Sequence, residues 1–353
     1  MSYLCSQYVL LGSVSAFVVM LRDKMSLFKL GKMKIDLVYL WVDGNDPEWQ
    51  AKKQAFVEGK VYQYGEANHS ARFFDNDELK YSLRSVCRYA PWINHIYIVS
   101  DNQVPEWLDQ SNPKITVVDH TQILPPEALP TYSSPAIEWC LDQIPGLSEH
   151  FILANDDTFM GQEVTPDFFF TPEGYPVMRL KRRVVGHKTV VSLYMKTILR
   201  TQEIIYQRFG KRFKFIPHHN MDAYCLTDFK ACKQEFSELV HDTVVRHFRS
   251  EEDFQRVAIY YYGLAIGHGK FRRMGRYNQQ MPFFKRVWEA LHGHYFYDAR
   301  NIGITNSNIP RVFRKYNPKL FCLNDSENAT PECRIRVRNL LRTMFPDKSP
   351  FEL

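Results

Sequence analysis

The hydrophobic pattern becomes regular at Ile35. From Ile35 to Val42 the chain is a nearly continuous run of apolar and β-branched residues, as expected of a strand covered on both faces in a parallel sheet. His95 to Val99, Ile115 to Val118 and Phe151 to Ala154 repeat that signature. Between the runs the period changes. After Asp75, residues Leu79, Leu83, Val86, Cys87 and Ala90 recur at helical spacing, behind an Asp-x-x-Glu capping box made by Asp75 and Glu78. Ser134-Pro135 reads as an N-cap followed by proline at the first helical position, and Gly146 closes that helix before the fourth strand. Strands alternating with helices predict an α/β, Rossmann-like and mostly parallel sheet, with ligands at the carboxyl ends of the strands.

Past about residue 180 the strand rhythm fades. Helical stretches dominate at Val190 to Phe209, Thr227 to Val240 and Glu251 to Ile266, and the Pro- and Asn-rich tract from Asn301 to Pro318 reads as loop. Thr330-Pro331-Glu332 opens a final basic helix ending near Met344. The pattern divides the chain into an α/β core at 35–180 and a helical region at 181–353 that caps the sheet. Ahead of both lie residues 1–34. The first 21 carry no charge and are apolar from Tyr8 to Leu21, diluted by serines, and Arg22, Lys24, Lys29, Lys32 and Lys34 follow. A bilayer span takes about 20 apolar residues. A membrane anchor, an interfacial segment and an extension ahead of a true start at Met25 or Met33 all fit, and an anchor would leave the rest of the chain in the cytoplasm.

Composition changes this picture little. The 353 residues are 45% hydrophobic, enough for a large core without disulfides. A net charge of +6 is too evenly spread to imply nucleic acid as a partner, and none is expected. The seven cysteines, Cys5, Cys87, Cys140, Cys225, Cys232, Cys322 and Cys333, are odd in number and contain no CxxC pair. They read as reduced thiols in a cytosol rather than as a zinc ribbon or a secreted framework. The Asn68 and Asn328 sequons are short enough to arise by chance.

Three motifs could carry chemistry. Val42-Asp43-Gly44-Asn45-Asp46-Pro47 ends the first strand, where glycine permits close backbone approach and carboxylates reach ribose or base edges, although all these residue types also make ordinary turns. Arg72 to Tyr81 surrounds a helix start, a place for a diphosphate, but its acids Asp75, Asp77 and Glu78 fit a cap better. The strongest is Phe151-Ile152-Leu153-Ala154 running into Asn155-Asp156-Asp157. Adjacent acids at a buried strand end repel unless something positive joins them, and their oxygens suit Mg²⁺ or Mn²⁺, as in GT-A-type nucleotide-sugar enzymes. Glu138, early in a helix, gains from the dipole whatever else it does. His218 and His219 are candidates for a base. Arg246, His247 and Arg249 could clamp phosphate or merely cover a helix start, while Arg311, Arg314, Lys315 and Lys319 could form an acceptor-binding face or simply a solvated loop.

Taken together, these blocks resemble the Stealth family of sugar-1-phosphate transferases, which includes bacterial capsular-polysaccharide phosphotransferases and the catalytic subunit of lysosomal-enzyme N-acetylglucosamine-1-phosphotransferase. Ile35-Asp36-Leu37-Val38-Tyr39-Leu40-Trp41-Val42-Asp43-Gly44 resembles the first family block. Arg72-Phe73, Glu78-Leu79, Pro105-Glu106-Trp107-Leu108, Ser133-Ser134-Pro135-Ala136-Ile137-Glu138 and Asn155-Asp156-Asp157 resemble the second. The His219 region with Arg249-Ser250-Glu251-Glu252-Asp253 resembles the third, and Cys322-Leu323-Asn324-Asp325 with the helix before Met344-Phe345-Pro346 the fourth. The resemblance implies Glu138, Asp157, His219 and Arg249 as the polar active-site set, with Asp43 and Gly44 near the donor nucleotide. In the same expectation Arg72, Asp75, Asn76, Asn155 and His218 contact substrate, and Asp156, Asp157 and Asp325 hold Mg²⁺ or Mn²⁺. His218 competes with His219 for the third-block role.

The expected activity is transfer of a sugar-1-phosphate from a nucleotide sugar, a UDP-sugar first among them, to a hydroxyl of an oligo- or polysaccharide acceptor, with release of nucleoside monophosphate. The core then serves the donor and the helical region the acceptor, in a compact bacterial enzyme of capsule synthesis. It would sit in the cytoplasm or against the inner face of the membrane, in contact with capsule-assembly machinery. Two rivals stand beside it: a GT-A-type glycosyltransferase that releases nucleoside diphosphate, and a noncatalytic protein whose basic half holds polyanionic polymer or lipid.

Overall fold

The computed structural model describes residues 33–58, 73, 75–182, 192–274, 284, 287, 299–326 and 328–353. The expectations for the first 32 residues, for Cys5, Asn68 and Arg72, fall outside them. The strands are β1 (Ile35–Leu40), β2 (Ile96–Ser100), β3 (Ile115–Asp119), β4 (His150–Asn155), β5 (Thr158–Met160), β6 (Val177–Arg182), β7 (Phe215–Pro217), β8 (Asp222–Cys225), β9 (Lys270–Met274), β10 (Ala299–Gly303) and β11 (Leu320–Asn324). The longer helices are α1 (Pro47–Val57), α2 (Glu78–Tyr89), α3 (Leu193–Phe209), α4 (Leu226–Glu235), α5 (Ser237–Val244), α6 (Val257–Ile266), α7 (Ile309–Tyr316) and α8 (Pro331–Met344).

The central sheet has the order β3-β2-β1-β4-β8. Its first four strands are parallel, and β1 lies between β2, with Leu37 opposite Ile96, and β4, with Leu37 opposite Ile152. The continuous apolar runs follow from burial on both faces. Leu37, Tyr39, Ile98 and Ile152 pack into one core with Leu79, Leu83 and Val86 of α2, while Val38, Val99 and Leu153 pack into another with Trp139 and Phe229. The chain runs outward from β1 to β2 and β3 and returns to β4 on the other side of β1, so a crevice opens at the carboxyl ends of β1 and β4.

The second half is less purely helical than its pattern predicts. It supplies β8, an antiparallel edge on β4 with Ile152 opposite Ala223. A three-stranded sheet β10-β11-β5 and another, β7-β6-β9, complete it. The tract from Asn301 to Pro318, expected as loop, continues β10 and forms α7. Three of its prolines and asparagines sit at the ends of α7, Asn308 before it, Pro310 in its first turn and Asn317 in the left-handed C-cap, where such residues are at home. The helix expected from Ser134 to Gly146 ends at Glu138 and yields to a 3₁₀ turn, Leu141–Gln143. The final helix, α8, spans the predicted range with Thr330 accepting from Cys333 N.

The capping box at Asp75 does not form. Asp77 takes a left-handed conformation (φ 67°) immediately before α2. The Glu78 carboxylate turns back to accept from Asn76 N and from Asn76 Nδ2 (2.8 Å), and Asp75 accepts from Asp77 N. Side chains that cap a helix in sequence-based reasoning here hold the turn that precedes it. The helix itself is wedged between two sheets: Tyr39 Oη and Ser82 Oγ are 2.6 Å apart, Ser82 Oγ donates to Thr158 O, and Arg84 grips Glu352 near the C-terminus through Nε (2.8 Å) and Nη2 (2.5 Å). Among the described residues no helix is long and apolar enough to cross a membrane, and the described cysteines are free thiols.

Candidate active site

A cleft of about 530 Å³ opens at the carboxyl ends of β1 and β4. One wall is acidic. β4 runs into Asn155, turns through Asp156 and Asp157, and returns as β5, where Thr158 pairs with Cys322 of β11. The turn is tightly tied: Thr158 Oγ1 donates to Asn155 O (2.6 Å), Asp157 N to Asp156 Oδ1 (3.1 Å) and Leu323 N to Asp157 O (3.0 Å). The Cys322 thiol donates to Asp157 Oδ2 (3.1 Å), and Asp157 Oδ1 is buried without a partner.

Electrostatics makes this wall costly. Burial, followed by the charges of Asp157, Glu78 and Asp75, pushes Asp156 well above the usual carboxylate range. Burial and then Asp75 push Glu78 up to about 8, and burial with Asp43 and Asp77 pushes Asp75 up to about 6. Carboxylates that raise one another in this way mark a place where positive charge is missing. The donor set fits a divalent cation at Asp156 and Asp157, since hard cations take carboxylate oxygens and the orphaned Asp157 Oδ1 offers one.

The opposite wall is basic and is backed by a balanced ion-pair network. Tyr132 N donates to His247 O (2.7 Å), the His247 ring meets Pro130 O at 2.7 Å, and Trp139 Nε1 donates to Phe254 O (2.6 Å), so residues 130–139 and 247–254 form one block. That block presents Arg249 to the cleft. Its Nη2 donates to Ser134 Oγ, and its Nε is buried without a partner. Burial pulls the Arg249 guanidinium below its ordinary value, while Glu138 and Asp253 oppose the fall. Behind it, Arg256 bonds Glu138 Oε2 through Nε (3.2 Å) and Asp222 Oδ2 through Nη1 (2.7 Å), and also meets Tyr224. Burial opposes the Arg256 charge, yet Tyr224, Glu138 and Asp222 together hold it well above the ordinary arginine value.

The residues singled out in sequence separate accordingly. Asn155, Asp156, Asp157, His219, Arg249 and Asp325 line the cleft. Glu138 does not; it is buried behind the wall on Arg256. His219 faces the cleft, while His218 is set apart from it beside Asn220, and burial, Lys181 and His219 push it down to about 3. Asp43 folds into the turn, accepting from Asn45 N (2.8 Å) while its backbone exchanges bonds with Gln103. Gly44 is needed because the backbone of Phe73 approaches it: a Cβ there would stand 2.1 Å from Phe73 O. The close approach expected for a ligand is thus taken by the chain itself. Asn76 is committed to Glu78, and Asp325 to Arg334, whose Nε reaches Oδ2 at 2.9 Å.

Sequence reasoning passed over Arg256 and gave Cys322 no place in the site. Arg256 sits among apolar neighbours at a helix start with no motif around it. Cys322 has no second cysteine at metal-ligand spacing, and only the pairing of β5 with β11 brings it to Asp157.

Comparison with known proteins agrees with the first, second and fourth blocks of the sequence. Residues 33–61, 72–178 and 310–353 match models of Stealth protein conserved regions 1, 2 and 4. His219 and Arg249 lie between these segments. An exopolysaccharide phosphotransferase of Lactiplantibacillus plantarum is 30% identical over 92% of this chain and 98% of its own length. One of Streptomyces coelicolor is 33% identical over 90% of this chain, which spans 57% of that relative. A capsular polysaccharide phosphotransferase of Actinobacillus pleuropneumoniae is 46% identical over 41% of this chain and 40% of its own length. Among solved structures, the galactosyltransferase LgtC in complex with donor and acceptor sugar analogues aligns over 89% of this chain and 96% of its own, with a TM-score of 0.40 and 10% identity. That likeness is too distant to carry an argument.

Proposed function

The chain belongs to the Stealth family, and on that premise we propose that this transferase moves a sugar-1-phosphate from a nucleotide diphosphate sugar to a hydroxyl of a glycan acceptor during capsular or exopolysaccharide synthesis. The observation that carries the reading is the convergence of Asp157, His219 and Arg249, from three distant stretches of chain, on one cleft. Attack at phosphorus needs a positioned hydroxyl, an acceptor for its proton and compensation of charge on the transferring group. These residues are of the right kinds for each.

His219 takes the proton in this reading, because Asp157 already holds the Cys322 thiol on one oxygen and keeps the other for a cation. The acceptor oxygen bonds to the sugar-side phosphorus, its proton passes to His219, and the bond from that phosphorus to the bridging oxygen breaks. The nucleoside monophosphate leaves with that oxygen. Arg249, anchored on Ser134 and carrying a buried donor without a partner, offers that donor to a phosphate oxygen. Mg²⁺ or Mn²⁺ held by Asp156 and Asp157 would neutralise charge on the diphosphate. Glu138 acts from behind, holding Arg256 and opposing the loss of charge on Arg249. UDP-sugars are the first donors to try, on the cytoplasmic side, with a polymer acceptor at the membrane or its assembly machinery.

The deciding experiment incubates the protein and Mn²⁺ with nucleotide sugars and capsule-type oligosaccharides and identifies the nucleotide released. Nucleoside monophosphate, with phosphorus retained in the glycan, supports the reading. Nucleoside diphosphate would move the attack to carbon and make the protein a glycosyltransferase.

A further inference from the structure

We propose that Asp157, His219 and Cys322 form a site for a thiophilic divalent cation of the Zn²⁺ type, bound through one carboxylate oxygen, one imidazole nitrogen and one thiolate. Ligand atoms of the three residues lie within 4.8 Å of one another. The Cys322 sulfur is already 3.1 Å from Asp157 Oδ2. These donors are held by sheet structure rather than by loops alone. Cys322 lies in β11 opposite Thr158 of β5, the Leu323 amide is bonded to Asp157 O (3.0 Å), and His219 sits in the short turn between β7 and β8. Little backbone ordering is left for a metal to impose.

The chemistry of the donors selects the cation. Mg²⁺ takes oxygen ligands in near-ideal octahedra and has little use for sulfur. Zn²⁺ and Co²⁺ accept carboxylate, imidazole and thiolate together in a four-coordinate site, with the fourth position here open to the cleft. On binding, the metal–sulfur bond forms as the thiol proton leaves to solvent. The doubly charged ion then meets one thiolate and one carboxylate, and the buried complex is neutral. That closure suits a place where Asp156, Glu78 and Asp75 already crowd negative charge. If the transfer reading is right, this occupant also removes His219 and Asp157 from turnover, so a thiophilic ion inhibits where Mg²⁺ or Mn²⁺ supports.

Cobalt tests the site without reference to activity. The full-length protein is titrated with Co²⁺ and its absorption recorded. A single saturable site is expected, with sulfur-to-cobalt charge transfer in the near ultraviolet and the visible bands of a four-coordinate ion, displaced by Zn²⁺ but not by excess Mg²⁺. Cys322→Ser should abolish the charge-transfer band and weaken binding by more than the roughly 10–100-fold that loss of an outer-shell partner costs. Because Cys322 is fully buried, His219→Ala serves as a second variant at the cleft surface, and it should shift the visible bands and weaken Co²⁺ in the same range. Visible bands without charge transfer, or affinity unchanged in both variants, would overturn the proposal. Such results would leave only an oxygen site at Asp156 and Asp157, and the transfer reading would stand.

Discussion

The two walls of the cleft use the same kinds of residue to opposite ends. On the wall built by Asp75, Glu78, Asp156 and Asp157, the charges that Asp156 feels are those of other acids, and burial raises each member that shifts. Behind the opposite wall, Arg256 spans the carboxylates of Glu138 and Asp222, and Arg249 in front of them keeps a buried donor without a partner. Charge that the protein balances internally is scaffold. Charge that it leaves unbalanced in a cleft is reserved for something that binds. The difference explains why Glu138 and Asp157, both implied as active-site residues by resemblance, occupy such different places.

The largest break in this comparison is Arg256→Met. It strands Glu138 and Asp222 without their cation, and removing one partner of a buried charge network costs about 3–5 kcal/mol. The urea midpoint should fall accordingly, and with it the placement of Arg249. Asp157→Asn tests the other wall and should do the reverse. It removes a repulsive charge, so stability should hold or rise, while turnover falls on the order of 10²–10³-fold, the usual cost of one electrostatic group at a reacting centre. If Asp157→Asn proved destabilising and Arg256→Met neutral, the assignment of scaffold and site would be inverted.

A smaller effect separates the walls by pH. Glu78 titrates near 8 in the folded chain against an ordinary 4.5, so between those values the folded state holds a proton that the unfolded state has lost. Stability of the metal-free protein therefore decreases as pH rises through that window, and Asp75, raised to about 6, adds to the slope with the same sign. Glu78→Gln should flatten the slope in urea melts taken from pH 5 to 8, values chosen to span the window. Saturating Mn²⁺ should flatten the wild-type slope too, because a cation stabilises the ionised carboxylates. An unchanged slope in the variant would mean that the acidic wall is not strained.

Much of this contrast was legible in sequence, and the reasons for the rest are local. The runs beginning at Ile35, His95 and Phe151 announced parallel strands because both faces of the sheet are buried there, and the Ile115 run, at the sheet's edge, was legible from its β-branched residues. Asn155-Asp156-Asp157 was conspicuous because two adjacent acids at a buried strand end repel unless something positive joins them. β8 escaped notice because an edge strand of four residues, Asp222–Cys225, leaves too short a pattern. Glu78 looked like a cap by spacing, yet the left-handed Asp77 turned it toward Asn76 and into the cleft wall. Asp43 and Gly44 were where a donor site belongs in the topology, but Gln103 ties the Asp43 backbone and the Phe73 backbone fills the space beside Gly44. What spacing cannot supply is the partner across the fold, as with Arg256 for Glu138 and Cys322 for Asp157.

The finest test of the comparison is Asp325, which belongs to neither wall cleanly. It lines the cleft, as a cation ligand must, but Arg334 Nε holds its Oδ2 at 2.9 Å and Ser326 N its Oδ1 at 2.6 Å. By the rule that separates the walls, a carboxylate already satisfied by an arginine and a backbone amide is scaffold. Asp325→Asn should then cost about 1 kcal/mol, the worth of a charge-assisted bond discounted for its partial exposure to solvent. It should leave Mn²⁺ affinity, measured by titration of the free ion, where it was. A loss of about tenfold or more in that affinity, roughly 1.4 kcal/mol, would instead make Asp325 a ligand that releases Arg334 when the cation arrives. Balance within the cleft would then no longer suffice to tell scaffold from site.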